Sequence, residues 1–117
     1  MNAFLNLFSN SEVDYENVEC GELEQMLADG HATDVGLIDV RTEMEHAGGH
    51  IPNSQNINLM SPEFSAKLGD LDKSKPYYVY CASGNRSRTA CSQMKRMGFE
   101  KIYNVRMGMM GWAGEIE

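Results

Sequence analysis

The sequence predicts an α/β domain whose sheet is mostly parallel. Short apolar runs alternate along the chain with segments whose apolar residues recur at helical spacing. The runs are nearly continuous, which is typical of strands buried on both faces of a parallel sheet. The chain has 117 residues and no internal repeat, so one domain is expected. We place this domain at residues 15–117, after an N-terminal arm at residues 1–14.

In the first half of the chain, the apolar pattern alternates between strand and helix. Leu23, Met26 and Leu27 have helical spacing, and Gly30 ends the predicted helix. The apolar run that ends at Val40 indicates a strand buried on both faces. The elements predicted here are a short strand at Val18, a helix from Gly21 to Asp29, a strand from Val35 to Val40 and a short strand from Ser54 to Leu59.

The second half begins with a helix, since Ser61-Pro62-Glu63 puts proline at a first helical position. Further along, apolar residues at i, i+1, i+4 and i+7 give another helix one buried face: Ala90, Cys91, Met94 and Met97. The elements predicted here are the helix from Ser61, a central strand from Tyr77 to Tyr80, a helix from Arg86 to Met97 and a last strand from Lys101 to Val105.

Composition and charge argue against several classes of protein. With 42% hydrophobic and 23% charged residues the composition is that of an ordinary globular protein, and the longest apolar runs are too short to cross a bilayer. The net charge of −7 argues against binding to nucleic acid or to an anionic membrane. The three cysteines form no Cys-x-x-Cys pair, so neither a disulfide framework nor a zinc site fits. We therefore expect a cytoplasmic protein with no metal and no cofactor.

Cys81 is the strongest candidate for a reactive residue. It follows the predicted strand Tyr77 to Tyr80 and precedes a helix, so its thiol lies in a loop whose amides and helix N-terminus stabilise negative charge. Residues 73–99 hold six of the ten basic residues and none of the 17 acidic ones. Such a setting lowers the pKa of a cysteine from ~8.5 to somewhere between ~3.5 and ~7.5. Cys81 is therefore predicted to be a thiolate nucleophile.

Further short segments accompany this loop in a specific order: Leu37-Ile38-Asp39-Val40-Arg41, Gly49-His50-Ile51-Pro52-Asn53-Ser54, Asn56-Ile57, Gly98-Phe99, Tyr103-Asn104-Val105, Gly108 and Gly111-Trp112. Through them the chain resembles the single-domain rhodaneses, a sulfurtransferase family, over roughly residues 15 to 115. The resemblance implies a five-stranded parallel sheet with helices on both faces. It also implies that Cys81 takes sulfane sulfur from a donor, becomes a persulfide and passes that sulfur to a thiophilic acceptor such as cyanide or a thiol.

The rest of the loop is predicted to bind the substrate. Arg86 is the positively charged residue of the loop, and it is expected to bind an anionic donor or to stabilise the Cys81 thiolate. Backbone amides would cradle the terminal sulfur, and Gly84 permits a turn that a Cβ would strain. A serine hydroxyl is expected to donate as well. The predicted substrate-binding residues are Ala82, Ser83, Gly84, Asn85, Arg86 and Ser87.

Three more residues are predicted to support the loop without taking part in the chemistry. Asp39 and Arg41 follow a neighbouring strand and are expected to tie adjacent loops to the active-site loop by charge-assisted hydrogen bonds. His50 is interpreted as a scaffold residue, because sulfur transfer from a preformed thiolate needs no general base.

The sequence leaves the substrates and two alternative functions open. The stretch Ala82-Ser83-Gly84-Asn85 matches neither the thiosulfate-preferring nor the mercaptopyruvate-preferring pattern of the family, so the identity of the donor stays open between a small anion and a persulfide. A small thiol or a thioredoxin-like protein is a possible acceptor.

One alternative to sulfur transfer is a redox-sensing or sulfur-carrier domain that uses Cys81 as a switch. The other is a phosphatase or arsenate reductase, although relatives with those activities place five residues between cysteine and arginine, and here there are four.

Overall fold

The computed structural model describes residues 15–117, so the arm predicted at residues 1–14 lies outside the described residues. The described chain alternates strands and helices along its whole length. The elements are β1 (Glu16–Val18), α1 (Cys20–Ala28), β2 (Gly36–Asp39), α2 (Glu43–Ala47), β3 (Gln55–Asn56), α3 (Phe64–Gly69), β4 (Tyr77–Tyr80), α4 (Asn85–Arg96), β5 (Ile102–Val105) and α5 (Gly108–Gly111).

The five strands form one sheet in the order β1-β5-β4-β2-β3, and every neighbouring pair is parallel. β4 is central, since it pairs with β2 on one side and β5 on the other. Parallel strands all end at the same edge of the sheet, so the loop after β4 lies at the middle of that edge. The predicted five-stranded parallel sheet is confirmed.

Helices cover both faces of the sheet, as predicted. On one face α3 and α4 bury side chains such as Leu68 and Met94 against β4 and β5. On the other face Leu23 of α1 packs with Val105 and Tyr80. A strand covered on both sides has no face for polar residues, which explains the nearly continuous apolar runs in the sequence.

The structure differs from the predicted elements chiefly in two short helices and in the bounds of β3 and α3. The pattern analysis missed α2 and α5, which have five and four residues and are too short to show an apolar period. β3 has only two residues, and α3 begins at Phe64 because Ser61 to Glu63 form a turn ahead of it. Among residues 15–117, no helix has the length and apolar content needed to cross a membrane.

Candidate active site

Cys81 is the first residue after β4, and α4 begins four residues later at Asn85. The loop between them is held in place by α5, because the carbonyl groups of Cys81 and Ala82 each accept a hydrogen bond of 2.9 Å, from the amides of Met109 and Met110. Helix α5 therefore supports the position of the thiol.

The sulfur of Cys81 faces polar groups although the residue is only 1% exposed. Its Sγ accepts hydrogen bonds from the amides of Gly84 at 3.0 Å and Ser87 at 3.4 Å, and it lies 3.5 Å from the Ser87 hydroxyl. Burial opposes the charged form of the thiol, but these hydrogen bonds outweigh it, so the pKa of Cys81 is lowered from its ordinary value. The site thus favours a thiolate by hydrogen bonding.

Two glycines allow this close packing. Gly84 has φ +98° and Gly108 has φ +56°, a region that side chains with a Cβ rarely adopt. A Cβ on Gly84 would lie 2.0 Å from the Arg106 carbonyl oxygen, and a Cβ on Gly108 would lie 2.1 Å from the Cys81 carbonyl oxygen. Both positions therefore require glycine on grounds of conformation and of space.

Arg86 is paired with a residue that the sequence analysis did not identify. Its guanidinium donates to both carboxylate oxygens of Glu45 on α2, at 2.8 and 2.9 Å. This pairing is the main reason that the pKa of Glu45 is lowered to about 2, and hydrogen bonds from Thr42 add to the effect. The cation that was expected to meet an anionic donor is therefore largely neutralised by a neighbouring carboxylate.

Asp39 and Arg41 lie together at the end of β2, and among residues 15–117 no hydrogen bond joins their side chains to the Cys81 loop. Arg41 donates to the Asp39 carboxylate at 2.8 Å and to the Gly49 carbonyl at 2.7 Å, while His46 of α2 lies 2.9 Å from Asp39. Burial opposes the charged Asp39, yet hydrogen bonds from Arg41 and His46 lower its pKa overall. The cluster fixes α2, and α2 carries Glu45 to Arg86, so the link to the loop is indirect.

His50 belongs to this same support and not to the surroundings of the sulfur. Its ring stacks on that of His46 with centroids 3.7 Å apart, and its Nδ1 lies 2.8 Å from the His46 carbonyl oxygen. Its backbone exchanges two hydrogen bonds with Glu117 near the end of the chain. These contacts join His50 to α2 and to Glu117, and its role as a scaffold residue stays a prediction.

Of the other predicted loop residues, Ala82 is partly buried, and the remaining four divide into two groups. Gly84 and Ser87 are buried and contact the sulfur. Ser83 and Asn85 are exposed, and the Asn85 side chain accepts from Arg88 on the surface of α4. The side chain of Asn85 therefore points away from the sulfur, and the loop faces the sulfur mainly through its backbone amides.

Two residues near the site were not identified from the sequence. Glu45 ends a Thr42-x-x-Glu45 capping box, whose two reciprocal hydrogen bonds are present, and this motif could have revealed α2. Asn104 is fully buried on β5 and lies 2.5 Å from the Ser87 hydroxyl. A polar residue in an otherwise apolar strand was the available signal for Asn104.

The other two cysteines lack this environment. Cys91 is buried among apolar side chains of α4, and desolvation raises the pKa of its thiol far above the ordinary value. Cys20 donates to the Gly108 carbonyl oxygen at 3.3 Å, and burial raises its pKa as well. Of the three thiols, Cys81 alone has a pKa shifted toward the thiolate.

Fold and site together define an α/β domain that presents one cysteine loop at the centre of a parallel sheet. A family model described as Rhodanese-like domain matches residues 19–115. The chain belongs to this family, which confirms the resemblance noted in its sequence motifs.

Named relatives support sulfur transfer as the general activity. A sulfurtransferase of Allochromatium vinosum is 34% identical over 103 residues, which is 88% of this chain and 88% of that protein. YtwF of Bacillus subtilis strain 168, provisionally named a sulfurtransferase, is 42% identical over 79 residues, covering 68% of this chain and 74% of YtwF. The crystal structure of a rhodanese-like domain protein from Staphylococcus aureus has a TM-score of 0.76 and 31% identity, and covers 87% of this chain and 96% of that one.

Proposed function

We propose that this protein moves sulfane sulfur from a donor to a thiophilic acceptor through a persulfide on Cys81. In the first step the Cys81 thiolate attacks the outer sulfur of the donor, a new sulfur–sulfur bond forms and the donor's own sulfur–sulfur bond breaks, releasing sulfite or a thiolate. In the second step an acceptor thiolate or cyanide attacks the outer sulfur of the persulfide. The electron pair of the broken bond returns to Cys81, so no net oxidant is consumed.

The observation that carries this proposal is the hydrogen bonding at Sγ. Two backbone amides and a serine hydroxyl converge on one sulfur atom, within a loop that has four residues between Cys81 and Arg86. Fixed amide donors stabilise a thiolate as attacking group and again as leaving group. Neither displacement requires a general base, which agrees with the position of His50 in the scaffold.

We further propose that the donor carries less negative charge than the dianion thiosulfate, as an organic persulfide does. Arg86 is the cation nearest to the thiol in sequence, and Glu45 already occupies it in a bidentate pair. A dianion such as thiosulfate would have to approach that carboxylate without the full benefit of the guanidinium. A persulfide of a small thiol or of a protein would lose much less from the pairing.

Replacing Glu45 with glutamine tests this assignment of the donor. Because the change releases one positive charge beside the loop, worth on the order of 1 kcal/mol at a partly exposed site, kcat/KM for thiosulfate should rise about fivefold. For cysteine persulfide it should change by less than about threefold, since that donor responds weakly to the charge. Steady-state kinetics with both donors gives the ratio.

The matched control is Glu43→Gln, on the same helix. Glu43 accepts a hydrogen bond from Asn58 at 3.1 Å, so removing its charge leaves the Arg86 pair intact. This variant should keep the donor ratio of the unchanged protein. Equal effects of Glu45→Gln on both donors, in either direction, would contradict a role of Glu45 in donor choice.

Mass spectrometry of the intact protein tests the sulfur transfer itself. Incubation with thiosulfate or with an organic persulfide should add about 32 mass units, one sulfur atom, and peptide mapping should place them on Cys81. A later addition of cyanide or a thiol should remove them. If every sulfane donor leaves the mass unchanged while a phosphate ester is hydrolysed, the phosphatase alternative replaces sulfur transfer. An adduct that no acceptor removes would instead support a redox sensor.

A further inference from the structure

A chain of three polar side chains connects Cys81 to the protein surface. The Ser87 hydroxyl, 3.5 Å from the Cys81 sulfur, lies 2.5 Å from Oδ1 of Asn104. The Asn104 amide nitrogen then donates at 2.9 Å to Oδ1 of Asn17, which is exposed on the edge strand β1. Ser87 and Asn104 are both fully buried. The chain therefore crosses the core from the nucleophile to the edge of the sheet.

A buried asparagine is costly unless its amide is satisfied. Asn104 lies on the same strand as Ile102, which belongs to the apolar cluster beneath α4. The oxygen of its amide is turned toward Ser87 and its nitrogen toward Asn17, so both ends have partners. Among residues 15–117, the asparagine thus contacts the one side-chain hydroxyl that lies next to the Cys81 sulfur.

The direction of the hydrogen bonds in this chain depends on whether Cys81 carries a proton. Ser87 has one hydroxyl hydrogen and three neighbours that could accept it: Asn104 Oδ1, the Gly84 carbonyl oxygen at 3.2 Å, and Sγ of Cys81. When Cys81 is a thiol, its S–H points at Ser87 and the hydroxyl hydrogen goes to Asn104. When Cys81 is a thiolate, the sulfur attracts the hydroxyl hydrogen, and a hydroxyl that turns to the sulfur leaves the amide oxygen of Asn104 buried beside an oxygen.

We propose that Asn104 is a positioning residue whose side-chain amide rotates, exchanging its oxygen and nitrogen, as Cys81 alternates between thiol and thiolate. When the sulfur is charged, the hydrogen bonds from Asn17 through Asn104 and Ser87 then all donate toward it. After the turn, the Asn104 nitrogen donates to the Ser87 oxygen, and Ser87 donates to Sγ. Asn17 is exposed and is free to present its own nitrogen to Asn104. The inference rests on the proposed function in that it concerns the same nucleophile.

Asn104→Leu removes the amide at nearly constant volume and tests the proposal through the protonation of Cys81. The thiolate loses the donor behind Ser87, whereas the thiol keeps the Gly84 carbonyl oxygen as an alternative acceptor. The apparent pKa of Cys81 should therefore rise, and iodoacetamide should alkylate Cys81 about threefold to tenfold more slowly below that pKa. The pH dependence of alkylation, with the site located by peptide mapping, reports this without any sulfur donor.

The effect must pass through Ser87 if the proposal is correct. In a Ser87→Ala background, Asn104→Leu should change the alkylation profile by less than about twofold, which a double-mutant cycle measures. Asn56→Leu is the matched control, because Asn56 donates to the backbone of Asp39 and Arg41 on another strand, away from the sulfur. Arg86 and Cys91, the ionisable side chains that interact electrostatically with Cys81, are the same in all these variants.

A measurement on the unchanged protein keeps the proposal testable if Asn104→Leu does not fold. The side-chain ¹⁵N signal of Asn104 should titrate with the same midpoint as Cys81 alkylation, and it should stay constant in Cys81→Ser. An Asn104 signal that does not move through that pH range overturns the inference, as does an Asn104→Leu effect that survives undiminished without Ser87. Either result leaves the 32-unit adduct, and with it the proposed function, unaffected.

Discussion

Replacing Cys81 with serine should abolish sulfur transfer and leave the fold in place. A serine hydroxyl keeps the size of the side chain and accepts the same amide hydrogen bonds from Gly84 and Ser87. It is not ionised at neutral pH and does not form a persulfide, so the chemistry has no nucleophile. The expected result is no 32-unit adduct and a loss of kcat/KM of at least about a thousandfold. Intact-mass spectrometry and steady-state kinetics measure the two.

The other cysteines provide the controls for this experiment. In Cys20→Ser the hydroxyl can still donate to the Gly108 carbonyl oxygen, so stability and transfer should be nearly unchanged. Cys91→Ala removes one buried sulfur from the apolar cluster and should cost about 1 kcal/mol of unfolding free energy, while transfer persists. If all three variants lost transfer to the same extent, the single-nucleophile mechanism would be wrong.

The sheet and the location of Cys81 could be predicted because both depend on local patterns. A strand buried on two faces must be apolar along its length, and Tyr77 to Tyr80 shows this directly in the sequence. The position of Cys81 between that strand and a helix follows from adjacent residues alone. The same holds for Gly84, since a tight loop between strand and helix calls for a positive φ.

The partners of the loop could not be predicted, because they come from segments far away in the chain. Arg86 meets Glu45 across 41 residues, and Ser87 meets Asn104 across 17. Helix α2 carries Glu45 yet buries none of its five residues, so it leaves no apolar stripe in the sequence. Pattern analysis identifies the elements that the core requires, whereas charge pairing at the site depends on how those elements are placed.

Gly108 lies outside the loop, yet its backbone packs against the backbone of Cys81. Gly108→Ala should destabilise the protein by about 3 kcal/mol, because the alanine must adopt a positive φ and its Cβ would press on the backbone of Cys81. Because the atom that must move is the carbonyl oxygen of Cys81 itself, kcat/KM for sulfur transfer should fall by about a hundredfold in the molecules that remain folded. Chemical denaturation gives the first quantity, and kcat/KM below the unfolding transition gives the second.

Gly30 separates the two causes of this effect. It also has a positive φ, of +91°, but a Cβ placed there would meet nothing within 4 Å. Gly30→Ala should therefore cost only the conformational part, about 1 kcal/mol, and leave kcat/KM unchanged. The difference between the two alanine variants measures how tightly α5 presses on the Cys81 backbone. If Gly108→Ala and Gly30→Ala lost the same stability, and Gly108→Ala kept full transfer activity, then α5 would have no part in holding the thiol in position.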